Sequence, residues 1–153
     1  MLLLLRDLRR LRRQVAPGRR SRGGALQVRH VDAGSCNGCE HELQAAAGPH
    51  YDLARFGIGI TASPRHADVL LVTGPVTARM RVPLLRAHEA MSEPRIVAAL
   101  GACAVGGCAA FCHPGEIAGA VAEVLPVDVR IPGCPPTPDA IAAALIPLLD
   151  RRR

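Results

Sequence analysis

Aromatic residues are almost absent from this chain of 153 residues: it has no Trp, and only Tyr51, Phe56 and Phe111. A core must therefore be assembled from Val, Leu, Ile and Ala, which bury less area per residue than aromatic rings. The scarcity also removes the stacking platforms used to hold single-stranded nucleic acid. Lysine is missing altogether, so every basic side chain is Arg. No apolar run approaches the ~20 residues that a membrane-spanning helix needs. The opening Met1-Leu2-Leu3-Leu4-Leu5 is too short for the apolar region of a secretory signal, and no cleavage site follows it. Arg9-Arg10 is not followed by an apolar stretch, which leaves a twin-arginine export signal unsupported. No HExxH and no recognisable Ser/His/Asp order is present, so the histidines read as surface or hydrogen-bonded residues. Gly57-Ile-Gly59-Ile-Thr-Ala62 fits G-x-G-x-x-A in form, but Ser63-Pro64 follows at once where a nucleotide site needs a helix.

What is present is apolar and ordered in its alternation. The hydrophobic fraction is 49%, which excludes a disordered chain. The formal net charge of +6 is unevenly placed. Residues 1–24 carry eight Arg and one Asp, whereas residues 25–150 hold eight Arg against twelve Asp and Glu. The body is therefore mildly acidic, and a basic face for nucleic acid is not expected. We divide the chain into a basic N-terminal segment, 1–24, and an α/β domain, 25–153.

In the first segment, Leu4, Leu5, Leu8, Leu11 and Val15 follow the spacing of an amphipathic helix, with Arg on the opposite face. Pro17-Gly18 ends it. Such a helix suits an anionic membrane surface or a partner subunit. Beyond it, residues 25–31, 68–73, 95–100 and 128–131 read as strands. Residues 39–47, 79–92, 116–125 and 138–149 read as helices, and 52–60 as a loop or a further strand. Strands alternating with helices in this way predict a parallel sheet covered on both faces.

Six cysteines in a chain expected to stay in the cytoplasm argue for metal or redox chemistry before disulfides. Cys36-Asn-Gly-Cys39 follows the first strand, Gly101-Ala-Cys103 follows the strand at 95–100, and Gly133-Cys134-Pro135-Pro136 follows the strand at 128–131. In an open parallel sheet, the loops after the carboxyl ends of the strands converge on one crevice. Four thiolates so gathered match the ligand count of a cubane iron–sulfur cluster. Gly34, Gly38, Gly101 and Gly133 would let the backbone come close to it. Pro135 is expected to keep Cys134 extended, and Pro136 to lie near the first turn of the last helix. From spacing alone, zinc, thioredoxin-type redox chemistry and simple core packing of small thiols all remain open.

The segment Asp32-Ala-Gly-Ser-Cys-Asn-Gly-Cys-Glu-His-Glu42 narrows these alternatives. It resembles the cluster-binding segment of the small subunit of membrane-bound, energy-converting nickel-iron hydrogenases, including formate hydrogenlyase. The 20 kDa cluster subunit of respiratory complex I, the NADH-quinone oxidoreductase, belongs to the same superfamily. Arg55-Phe-Gly57 with Ser63-Pro-Arg-His-Ala-Asp-Val69, Gly101-Ala-Cys103 and Gly133-Cys-Pro-Pro136 match in the same order.

The resemblance implies a flavodoxin-like domain that holds one 4Fe-4S cluster on Cys36, Cys39, Cys103 and Cys134, with no catalytic residue of its own. It implies an electron-transfer subunit of an oxidoreductase complex. The expected partners are a large catalytic subunit, nickel-iron or complex I-like, a ferredoxin-like iron–sulfur subunit and membrane subunits, at the cytoplasmic face of the membrane. The Cys-x-x-Cys form is hydrogenase-like, since complex I subunits carry adjacent cysteines there. Glu42 matches an acid of the motif and is expected near the contact with the large subunit. Cys108 and Cys112 stand where the family has no ligands and read as free thiols, a second site with His113 being the alternative. No further cysteine-rich region follows, so a single cluster is expected.

Overall fold

The computed structural model describes residues 25–106 and 115–151. The helix expected within residues 1–16, and Cys108, Cys112 and His113, lie outside them.

Five short parallel strands form the central sheet: β1 (Leu26–Asp32), β2 (Ile58–Ile60), β3 (Val69–Thr73), β5 (Ile96–Leu100) and β7 (Val129–Ile131), in the order β2-β1-β3-β5-β7. Counting only these five, the order is 2-1-3-4-5, the doubly wound order of flavodoxin-like sheets. The register is continuous, with His30 opposite Leu71, Asp32 opposite Thr73, and Thr73 opposite Leu100. All of β3 is buried, as the unbroken run Val-Leu-Leu-Val-Thr requires of a strand covered on both faces.

Successive side chains point to opposite faces. Val69 and Leu71 join Leu26, Val28, Ala98 and Leu100 on one face, under α1 (Gly38–Ala47) and α4 (Pro138–Leu145). Leu70 and Val72 join Val97 and Ala99 on the other, with Leu84 of α2 (Ala78–Glu89) and Ala104 of α3 (Ala102–Gly106). Each fully buried Leu or Val contributes about 1.5–3 kcal/mol relative to exposure. Aliphatic side chains thus fill both layers, as the lack of aromatics dictates.

Two of the expected helices depart from the sequence expectation. The helix expected at 116–125 is instead the strand β6 (Ile117–Gly119) followed by a 3-10 turn (Val121–Glu123). β6 pairs antiparallel with β4 (Val76–Thr77). Gly119 sits at φ +126°, outside any helix, and the Glu123 carboxylate accepts from the Ala120 N–H at 3.0 Å, closing the turn. The helix expected at 138–149 breaks into α4 and α5 (Leu148–Arg151) around Pro147, which has no N–H to continue the ladder. Pro136 lies just before the Thr137 cap and Pro138 occupies the first turn of α4, the Thr137 hydroxyl accepting from the Ala140 N–H. Residues 52–60 form a 3-10 turn (Leu53–Phe56) and β2. Gly59 therefore lies within a strand, where no phosphate-binding turn can form. Among the described residues no helix is long and apolar enough to cross a membrane.

Candidate metal centre

The four cysteines with described positions all follow carboxyl ends of sheet strands. Cys36 lies in the loop after β1, and Cys39 in the first turn of α1. Cys103 lies in α3, directly after β5, and Cys134 in the loop between β7 and α4.

The three loops interlock. The Gly101 N–H donates to the Ile131 carbonyl at 2.8 Å, and the Ala102 N–H to the Gly133 carbonyl at 2.7 Å, which ties the β5 loop to the β7 loop. A methyl group built on Gly101 would meet Cys39 Sγ at 2.5 Å, so the β5 loop also touches the β1 loop. One built on Gly38 would lie 3.6 Å from Cys36 Sγ and 3.9 Å from the Pro135 ring, which joins the β1 loop to the β7 loop. Glycine is demanded at 101 and 133 by backbone as well as space, with φ at +94° and +138°. The Cys134–Pro135 peptide bond is cis.

Burial pushes the Cys39 thiol up to about 11, with smaller contributions from the nearby Glu40, Cys36, Cys103 and Cys134. All three other thiols thus lie within electrostatic reach of Cys39. Cys36 and Cys134 are exposed, whereas Cys39 and Cys103 are half-buried. Among the described residues no three His, Cys, Asp or Glu side chains are gathered tightly enough to hold a single metal ion.

Other groups set this geometry. Asp32, at the end of β1, accepts from the Gly34 N–H at 2.8 Å and the Ser35 N–H at 2.7 Å. This Asx turn aims the chain toward Cys36. Asn37 enters α1 at φ +68° and makes no side-chain capping bond. Its first-turn N–H groups and the positive end of its dipole therefore favour an anionic group beside the cysteines. Beneath α1, Thr73 donates to Glu40, and His30 Nε2 lies 2.9 Å from the Thr73 hydroxyl. Asp32, Glu40, His30 and Thr73 were not foreseen as site residues. The Asp-x-Gly-Ser spacing signals the Asx turn, but the other three meet only through the fold. Glu42, the acid expected near a partner, is half-buried on α1.

The donor chemistry fits an iron–sulfur group. Four soft thiol donors from three loops, glycine where a side chain would strike the Cys39 sulfur, and an uncapped helix end suit a bulky anionic thiolate cluster.

Comparison with known proteins agrees in sequence and in fold. Residues 36–148 match the family described as NADH ubiquinone oxidoreductase, 20 kDa subunit. The chain is 43% identical over 145 residues to the probable membrane-bound hydrogenase subunit mbhJ of Pyrococcus furiosus, covering 95% of this chain and 86% of that one. It is 50% identical over 113 residues to formate hydrogenlyase subunit 7 of Escherichia coli, covering 74% of this chain but 44% of that longer protein. Among solved structures, it superposes on a chain of an archaeal respiratory membrane complex, the membrane-bound sulfane sulfur reductase, with TM-score 0.70 and 31% identity, over 85% of this chain and 71% of that one.

Proposed function

The chain belongs to the family of the NADH ubiquinone oxidoreductase 20 kDa subunit, and from that membership we propose that it is the electron-transfer subunit of a hydrogenase-type, membrane-associated complex. Its relatives are subunits of oxidoreductase complexes, hydrogenase and formate hydrogenlyase among them. The reading rests on the interlocking of the β1, β5 and β7 loops around Cys36, Cys39, Cys103 and Cys134.

These four thiolates would hold one 4Fe-4S cluster, which supplies one-electron chemistry when bound. The chain's own part is positional. The parallel sheet fixes three loops at one edge, and Gly101 keeps the space beside Cys39 clear. The exposed side, with Cys36 and Cys134, suits a large catalytic subunit docking over it. A ferredoxin-like subunit and membrane subunits complete the assembly at the cytoplasmic face. Residues 1–24 are assigned to that attachment, and deleting residues 1–20 should release the complex from sedimenting membranes.

Anaerobic isolation of the assembled complex tests the reading. The expected result is about four irons per copy of this chain and an EPR signal on reduction. Replacing Cys103 or Cys134 with Ser should abolish the signal. Colourless protein with one zinc would instead identify a zinc-stabilised interaction module. Nickel in the copurified large subunit separates the hydrogenase reading from a quinone-linked, complex I-like one.

A further inference from the structure

Among the described residues, Thr73 is the one polar side chain buried completely. It ends β3 on the face shared by Val69 and Leu71. His30 of β1 lies on that same face, in line with Leu26 and Val28. Glu40, in the first turn of α1, meets both. The Thr73 hydroxyl donates to Glu40 Oε1. His30 Nε2 stands 2.9 Å from that hydroxyl and 3.5 Å from Glu40 Oε1. A hydroxyl has one proton to give. Given to Glu40, it leaves the Thr73 oxygen to accept, so His30 carries its proton on Nε2.

The other carboxylate oxygen, Glu40 Oε2, is buried with no hydrogen-bond partner. An orphaned carboxylate oxygen costs stability, and an apolar side chain under α1 would avoid that cost. The position is also particular: Glu40 follows Cys39 directly in the chain.

We propose that Glu40, pinned by Thr73 and His30, is a positioning residue that holds a carboxylate beside the ligand Cys39 and keeps the reduction potential of the site low. The inference rests on the cluster reading above. The pinning joins the first turn of α1 to the two central strands, so Cys39 cannot swing with the helix end. The orphaned oxygen has no donor to offset it, and a half-buried carboxylate beside the site opposes the arrival of an electron.

An EPR-monitored redox titration of the anaerobic assembled complex tests this. Glu40→Gln keeps shape and removes charge. It should retain the wild-type line shape while its reduced-to-oxidised ratio at the wild-type midpoint rises about tenfold, equivalent to about 59 mV for a one-electron couple. Thr73→Val should broaden or shift the spectrum by freeing the helix end, whereas Thr73→Ser, which keeps the hydroxyl, should restore it. A midpoint in Glu40→Gln equal to the wild type overturns the inference, whatever Thr73→Val does. A wild-type complex with no cluster signal overturns the proposed function itself, a result distinct from an unmoved midpoint.

Discussion

Gly101 and Cys39 lie so close that a single added methyl group on the glycine would come within 2.5 Å of the cysteine sulfur. The contact joins two strands' loops that are 62 residues apart in sequence. Gly101→Ala therefore meets two obstacles. The left-handed backbone at φ +94° costs a non-glycine residue about 1–2 kcal/mol, and the methyl group displaces the Cys39 sulfur. The expected outcome is a folded chain, by circular dichroism, that carries far less iron than the wild type after anaerobic isolation. Full iron content in Gly101→Ala would show that there is more room beside Cys39 than this contact allows.

Much of this arrangement is legible in the sequence, for identifiable reasons. β3 and β5 announce themselves because a strand covered on both faces is apolar throughout, and Asp68-Val-Leu-Leu-Val-Thr73 has few other ways to be buried. The meeting of Cys36, Cys39, Cys103 and Cys134 at one edge follows from the rule that parallel strands send their following loops to one side. Residues 116–125 misled because Ile117, Val121, Val124 and Leu125 have helical spacing, while their fold is set by Gly119 and by pairing with the two-residue strand β4. So short a partner leaves no periodicity to read. The contact of Glu40 with Thr73 and His30 was invisible because it depends on helix α1 landing over particular strand positions.

Burial separates the four thiols in reactivity. Cys39, raised to about 11, is almost wholly protonated near neutrality. At pH 8 about one molecule in a thousand carries its thiolate, the species that attacks an alkylating agent. In reduced, iron-free chain, the exposed Cys36 and Cys134 should alkylate first and Cys39 last, as followed by peptide mass spectrometry. Raising the pH by one unit should speed Cys39 about tenfold, since its thiolate fraction rises tenfold. Matching rates at Cys36 and Cys39 would contradict the half-burial of Cys39 beside the exposed Cys36.

His30 gives the fold a pH dependence of defined sign. Burial depresses its folded value below the ordinary 6.5, and the attraction of Glu40 and Asp32 opposes that only in part. Above 6.5 both folded and unfolded states hold a neutral ring, and the full stability is present. As pH falls through 6.5 the unfolded chain takes up its proton first, so stability declines until the folded value is reached. Unfolding midpoints measured between about pH 8 and pH 5 should fall in the wild type and fall less steeply in His30→Gln. Parallel slopes in the two proteins would show that the ring is not desolvated in the native state.

Asp32 holds the loop that delivers Cys36, and its role is that of an acceptor. One carboxylate oxygen takes both the Gly34 and Ser35 N–H groups, and Ser35 Oγ then accepts from the Asn37 N–H at 3.1 Å. Asp32→Ala leaves two loop N–H groups to water and should cost about 1 kcal/mol at this exposed position. The local consequence should exceed the global one, because the loosened loop carries Cys36. Iron release to a chelator, followed by the loss of visible absorbance, should be faster in Asp32→Ala than in the wild type. Asp32→Asn keeps an accepting oxygen and should release iron at a rate near that of the wild type. Release from Asp32→Ala at the wild-type rate would mean that the strand-side bonds, Ala33 N–H to Thr73 and Thr77 N–H to Ala33, hold the loop by themselves.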